Sequence, residues 1–271
     1  MPTRWNVHRL PRAEGKTFLV TGANAGIGYH VAEQLAGTGA TVVLGSRSAA
    51  KADAAMASIR SVVPDARVRH LQLDLADLGS LQAAANGLDR LDAVVCNAGV
   101  MVDDAELMYT TNHLGHFVLV SWLMPVLAAA QGRVVTTGSL RGKTVKPDDA
   151  YARSKQAQML FGFELARRQS AVVSVVNHPG GALDSLTPPL RLRSLPAGLL
   201  LQGKDAGAWP AVRAVLDESV RGGQMVGPRV FGLRGEPRIE PVRGQLADGA
   251  LAARVWEESV SRSCSFACRN W

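Results

Sequence analysis

From Thr17 to Asn177, short apolar runs alternate with longer segments of helical spacing, and no other feature of the chain restricts its fold as strongly. The runs Thr17–Val20, Thr41–Leu44, Val68–Leu73, Ala93–Cys96, Arg133–Thr137 and Val172–Asn177 read as strands. Between them, Ile27–Thr38, Ala49–Val62, Asp77–Gly87, His113–Ala129 and Asp149–Gln169 read as helices. Several of the runs are apolar without a break rather than alternating, the pattern of strands covered on both faces. Strand–helix alternation of this kind predicts right-handed crossover units and one doubly wound parallel sheet in a three-layer α/β/α sandwich.

Length and charge narrow the partners. A chain of 271 residues suits one α/β domain, and no boundary or repeat divides it. The formal net charge of +7 comes from scattered Lys and Arg without interleaved aromatics, a pattern that argues for a solvated basic surface rather than a nucleic-acid interface. Three cysteines, Cys96, Cys264 and Cys268, give no disulfide framework and fit a reducing cytoplasm. The stretch Met1–Glu14 lacks the apolar core of a signal peptide. The longest apolar stretch, Phe117–Ala130, is interrupted by Ser121 and Pro125 and is too short to span a bilayer, so it is expected as a buried or dimer-forming helix.

The pattern changes after Pro179. Residues 180–203 are rich in Pro, Leu and Arg and read as a substrate-side loop or lid. A helix over Asp205–Val220, a strand over Met225–Phe231 and a final helix over Asp248–Val260 are expected beyond it.

The first strand runs into Thr21-Gly22-Ala23-Asn24-Ala25-Gly26-Ile27-Gly28, which opens the first helix. Such glycines let a backbone approach a pyrophosphate, and the helix N-terminus presents free N–H groups to it. The second strand ends at Leu44-Gly45-Ser46-Arg47, with no acid to bind a ribose hydroxyl. Arg47 and Ser46 can instead hold a 2′-phosphate, which favours NADP(H) and leaves NAD(H) open. Asp74, in Leu73-Asp74-Leu75, either accepts from an adenine amino group or caps its own turn. Asn97-Ala98-Gly99 ends the fourth strand on the crevice side of the sheet and leaves room for a cofactor.

Tyr151 and Lys155 share one helical face, and Ser139 ends the fifth strand at the same crevice edge. A free phenol titrates near 10 and is a poor proton donor or acceptor at neutrality. A cation at ~4 Å in an effective dielectric of about 20 contributes ~4 kcal/mol, enough to make it competent. His113 and His116 have the spacing of metal ligands but no further ligand beside them, and read as helix-packing histidines with no metal site.

The glycine-rich turn, Asn97-Ala98-Gly99, Asn112, Ser139, Tyr151 and Lys155 together resemble the short-chain dehydrogenase/reductase family, firmly over residues 17–180. The run Asn112-His113-Leu114-Gly115-His116-Phe117 is similar to the branch of retinol dehydrogenases and protochlorophyllide reductases. Gly223-Gln224-Met225-Val226-Gly227-Pro228 and Ala253-Arg254-Val255-Trp256-Glu257 are similar to bacterial members of that branch.

The resemblance implies a Rossmann fold and hydride transfer between a nicotinamide cofactor and a carbonyl or alcohol. Tyr151 is then the general acid/base and Ser139 orients the substrate. Lys155 binds the nicotinamide ribose and tunes Tyr151, while Asn112 holds a water that extends a proton relay. Gly22, Asn24, Gly26, Ile27, Gly28, Ser46, Arg47, Asp74, Leu75, Asn97, Ala98, Gly99, Tyr151, Lys155, Pro179 and Gly180 are implied on the cofactor. It also implies a homodimer or homotetramer built through the helices over His113–Ala129 and around Tyr151.

Two departures stand out. Asp184 occupies the position where the family carries a threonine on the cofactor, with Ser185 beside it. Only eleven residues separate Ser139 from Tyr151, which predicts a more open active site. Leu190, Leu192, Leu195 and residues 199–201 suggest an apolar substrate. Two rival readings remain: a cofactor-binding regulator or scaffold without turnover, and an anion-surface or membrane protein using Arg191 and Arg193.

Overall fold

The computed structural model describes residues 5–146, 148–181 and 201–267. Eight strands form one sheet in the order β3-β2-β1-β4-β5-β6-β7-β8. The strands β1 (Thr17–Thr21), β2 (Thr41–Ser46), β3 (Arg67–Gln72), β4 (Ala93–Cys96), β5 (Arg133–Thr137), β6 (Val173–Asn177) and β7 (Met225–Val230) are parallel. The eighth, β8 (Arg234–Glu240), is antiparallel to β7 and forms an edge. The chain doubles back between β1 and β4, and the C-terminal ends of these strands open a crevice where ligands of doubly wound sheets bind.

Alternation along each strand divides the core. Phe18 and Val20 of β1 face a layer made by α1 (Gly26–Ala36), α2 (Ala49–Val62) and a helix over Lys204–Leu216, with Val31, Leu35, Ile59 and Val212 buried there. Leu19 points to the opposite layer, where Phe117, Leu119, Phe161 and Trp256 pack. That layer contains α3 (Leu81–Asn86), α4 (Ala105–Tyr109), α5 (Gly115–Ala129), α6 (Ala150–Arg168) and the last helix, over Gly249–Ala267. In chain order the helix Lys204–Leu216 is α7 and Gly249–Ala267 is α8.

The sequence placed the strands and long helices of the first 177 residues in order, with bounds shifted by a residue or two; beyond them the helix expected to reach Val220 ends at Leu216 and the last helix runs on to Ala267, past the expected Val260, and further details differ. The segment Asp77–Gly87 is a 3-10 turn, Leu78–Ser80, followed by the short α3. The helix expected from His113 starts earlier: Asp104 caps α4 by accepting from Leu107 N at 2.9 Å, and a π turn, Thr110–Leu114, joins α4 to α5. The strand from Met225 ends at Val230, one residue before Phe231. The strand β8, missed entirely, carries Gly235 and Pro237 and alternates charges, a composition tolerated at an edge where one side of the ladder needs no partner.

The continuous helical stretch Ala105–Ala129 is long and apolar enough to cross a membrane by length and composition, but 72% of its apolar window is buried inside the protein. Gly115 lets this stretch lie against the strand end, because a Cβ there would strike the Leu75 carbonyl. The two helices expected at a dimer interface, α5 and α6, are crossed by α8 of the same chain. Trp256 packs its ring 5.2 Å from Phe117 and 6.0 Å from Phe161, and His113 Nε2 lies 2.7 Å from Ser259 Oγ.

Candidate active site

The crevice above the β1–β4 gap is lined by the glycine-rich turn, the end of β2, the turn after β3, the turn after β4, and α6. Gly22, Asn24, Gly26, Ile27, Gly28, Ser46, Arg47, Asp74, Leu75, Asn97, Ala98, Gly99, Tyr151, Lys155 and Pro179 all line this one cleft. Six segments far apart in the sequence thus meet where the sequence expected a dinucleotide.

The fit to such a ligand is local and physical. No side chain caps α1 at Ala25, and no acidic residue stands in its first turn, so the N–H groups there remain available to an anion. Gly28 must be glycine, because a Cβ would collide with Asn97 Nδ2 and with the Gly22 carbonyl oxygen. Thr21 braces the base of the turn: its hydroxyl oxygen accepts from Asn97 N at 3.0 Å and Ala98 N at 2.9 Å. Asn97 Nδ2 donates to Thr21 O at 3.0 Å.

Asp74 lines the crevice and also caps its own turn, accepting from Ala76 N at 3.0 Å. The turn-capping reading is thus in place, on a residue that also faces the crevice. Arg47 is exposed at the crevice edge. Ser46 is buried, and its hydroxyl oxygen lies 3.3 Å from His70 Nε2, so its hydroxyl is engaged within the protein rather than extended beside Arg47.

Lys155 is 4% exposed and donates from Nζ to Thr137 O at 2.8 Å. Asp149 caps α6 by accepting from Ala152 N at 2.8 Å, which fixes the first helical turn carrying Tyr151. Ser139 follows Gly138, a crevice residue, and caps a 3-10 turn, Leu140–Lys143, by accepting from Arg141 N at 3.3 Å. Gly142 of that turn packs on the backbone of Lys155 and Gln156, where a Cβ would stand 3.0 Å from each.

The Asn112 side chain is engaged within the protein. Its Oδ1 accepts from Val100 N at 2.7 Å, and its Nδ2 donates to Val100 O at 2.9 Å and Ser154 Oγ at 3.0 Å. The side chain is therefore spent on holding the loop after β4 against α6. Its main-chain oxygen accepts from His116 Nδ1 at 3.2 Å, which places the proton of that ring on Nδ1. His116 Nε2 then accepts from the Thr21 hydroxyl at 2.8 Å. Burial pushes the imidazoles of His113 and His116 down to about 3, so both rings are neutral where they pack. Burial also pushes the Cys96 thiol up, despite the nearby Lys155 charge.

Sequence reasoning missed Arg141. Its guanidinium stands 5.2 Å over the centre of the Tyr151 ring and pairs with Asp149 Oδ2 at 2.7 Å. Nη1 reaches Met101 Sδ at 3.6 Å. An arginine in a connecting segment carries no periodic signal; only the shortness of the Ser139–Tyr151 connection hinted at its nearness.

Gly180, expected on the cofactor, has φ +72° and packs toward Leu233 and Pro228. The expected lid, 180–203, has most of its length, with Asp184, Ser185, Leu190, Arg191, Leu192, Arg193, Leu195 and residues 199–200, outside the described residues. Its two ends are joined. Gln202 N donates to Gly181 O at 3.2 Å, and Gln202 Nε2 donates to Pro179 O at 2.8 Å. Gly181 N donates to Leu233 O at 2.8 Å, and Gly235 N to Gln202 Oε1 at 2.9 Å.

The sequence profile of the short chain dehydrogenases matches residues 16–186. A polyprenol dehydrogenase from Mus musculus is 35% identical, the match covering 93% of this chain and 84% of that one. Retinol dehydrogenase 13 from Mus musculus is 32% identical over 91% of this chain and 83% of its own. The fungal short-chain dehydrogenase/reductase drtF, from Aspergillus calidoustus, is 41% identical, but the match spans 51% of this chain and about half, 48%, of that protein. Among solved structures, an uncharacterised protein from Mycobacterium paratuberculosis superposes with a TM-score of 0.77 at 32% identity, covering 96% of this chain and 97% of that one. A Burkholderia cenocepacia short-chain dehydrogenase in complex with NADP gives 0.67 at 27% identity, covering 79% of this chain and 96% of that one.

Proposed function

The chain belongs to the short-chain dehydrogenase family, in its retinol dehydrogenase-like branch, and from that premise we propose that it passes a hydride between NADP(H) and an apolar carbonyl or alcohol, with Tyr151 as general acid/base. The observation that carries this reading is the meeting, in one cleft, of the glycine-rich turn with Tyr151 and the buried Lys155.

The cofactor, when bound, supplies or accepts the hydride. The open N-terminus of α1 and the Gly22–Gly28 turn would hold its pyrophosphate, and Arg47 its 2′-phosphate. Lys155 would reach its ribose while its ammonium favours the ionised form of Tyr151. In reduction, Tyr151 gives its proton to the substrate oxygen; in oxidation it takes the proton back. The Ser139 hydroxyl donates to the same oxygen where negative charge builds. Holding both reactants in one crevice converts an encounter into an oriented step.

Three features support NADP(H) and an apolar substrate. The end of β2 carries Arg47 and no acid. Met101 and Val102, partly exposed, follow the crevice residue Val100, and Arg141 joins Met101 to the Tyr151 side. The relatives named for polyprenol and retinol bear the names of long apolar alcohols.

The test is NADPH oxidation against aldehydes, ketones and quinones of graded size. Tyr151→Phe should abolish turnover while NADPH still binds. Retained turnover in that variant removes the mechanism. A chain that binds NADPH and consumes none across the panel is the cofactor-binding regulator instead.

A further inference from the structure

Behind the Ser139 turn lies a buried polar cluster that the hydride-transfer chemistry does not use. Glu240 ends β8 with its side chain only 6% exposed. One of its oxygens, Oε2, takes two donors from distant parts of the chain. Lys143 Nζ donates to it at 2.7 Å, and His178 Nε2 lies 3.1 Å away. The His178 ring is fully buried, and its Nδ1 accepts from Gly180 N at 3.2 Å. The proton of a neutral ring therefore sits on Nε2 and points at Glu240.

Charge agrees with that reading. Burial pushes the His178 imidazole down, so it is neutral at physiological pH. Burial alone would raise the Glu240 carboxyl, but the bonds from His178 and Lys143 bring it down to about 2. The cluster is thus one carboxylate, one ammonium and one neutral ring. It is tightly seated: a Cβ on Gly227 of β7 would collide with His178 Nε2 and stand 2.7 Å from Glu240 Oε1.

The two donors belong to the two turns that flank the reacting end of the crevice. Lys143 closes the 3-10 turn that Ser139 opens and that packs on Lys155. His178 opens the turn whose next residue, Pro179, lines the crevice.

We propose that Glu240 is a positioning residue: by holding Lys143 and His178 on one carboxylate oxygen, it locks the Ser139 turn to the Pro179–Gly180 turn and sets the spacing between the substrate-orienting hydroxyl and the cofactor wall. This rests on the function proposed above for Ser139 and Pro179. A buried carboxylate with two donors is a rigid joint, because breaking the His178 contact leaves a buried ring N–H unpaired and breaking the Lys143 contact leaves a buried negative charge unmatched.

The test compares Glu240→Gln with Lys143→Met, a milder change at a side chain 28% exposed, in the full chain. Hydrogen exchange reads the joint without any turnover. Glu240→Gln should speed amide exchange in both turns by about tenfold or more while β1, β4 and β5 keep their protection. Lys143→Met should loosen the Ser139 turn alone, and the double variant should loosen that turn no further than Glu240→Gln does. In turnover, Glu240→Gln should lower kcat by about tenfold with NADPH affinity changed less than about threefold. Exchange that changes in only one turn, in neither, or across the whole sheet overturns the joint. Loosened turns with an unchanged kcat overturn its positioning role. If the wild-type chain consumes no NADPH, the proposed function fails, and the exchange pattern still decides whether Glu240 joins the two turns.

Discussion

Replacing Lys155 with methionine keeps the aliphatic stem and removes the buried ammonium that lines the crevice. Nζ is held by the Thr137 carbonyl at 2.8 Å in a side chain that is 4% exposed. Tyr151 stands one helical turn earlier on the same face of α6. Side chains at that spacing lie ~5–6 Å apart, and at an effective dielectric of 20 the attraction between ammonium and phenolate is about 3 kcal/mol. Losing it should slow proton abstraction in the alcohol-oxidation direction about a hundredfold at neutral pH, with rate recovered as the solution becomes alkaline.

The assay is NADP+-dependent alcohol oxidation across a pH series at saturating cofactor, with cofactor affinity measured separately because Lys155 would also touch the ribose. Ultraviolet phenolate absorbance gives an independent readout. The chain has three tyrosines, and burial pushes both Tyr29 and Tyr109 up, which leaves Tyr151 to ionise ahead of them. A variant that binds NADP+ normally, reacts within about threefold of wild type and shows no alkaline displacement refutes the electrostatic argument.

Trp256→Ala should cost about 3–5 kcal/mol by emptying the aromatic pocket against Phe117 and Phe161, read from denaturant midpoints. Since α8 covers α5 and α6, light scattering should find the wild-type chain monomeric and the variant self-associating; a wild-type dimer built on those two helices contradicts this. Acid should destabilise the fold in two stages. His113 and His116, held near 3 against an ordinary 6.5, stabilise fully above 6.5 and lose that contribution as pH falls toward 3. Glu240, held near 2 against 4.5, loses its contribution as pH falls from 4.5 toward 2. Urea unfolding at graded pH checks the slope, which His113→Gln and Glu240→Gln should each flatten in its own range. In native protein an alkylating reagent should label the exposed Cys264 and spare the buried Cys96 until the chain unfolds; early labelling of Cys96 would show that β4 opens.

The layered sheet was legible because its strands are buried on both faces. Residues such as Val42, Val43, Val94 and Val95 announce themselves by unbroken apolarity. The crevice was legible because its parts sit at strand ends, where spacing in the sequence maps onto place in the fold. Edge and loop features were not. The strand β8 has one unpaired side and can carry Pro237 and alternating charge, so its composition resembles a turn. The start of α4 was hidden because Thr110, Thr111 and Asn112 interrupt the helical pattern, and the π turn absorbs that interruption. Glu240 and Arg141 act across 97 residues and through a connecting segment, respectively, distances over which periodicity carries no information.

The hydrogen-bonded junction of Gly181 with Gln202 has an evolutionary corollary. Both ends of the intervening stretch emerge from one anchored point on the hairpin, so its length and composition are decoupled from the register of the sheet. Doubling such an excursion adds only about 0.6 kcal/mol of closure entropy. Relatives sharing this anchorage are free to exchange whole excursions while the strand ends that carry the crevice stay in place.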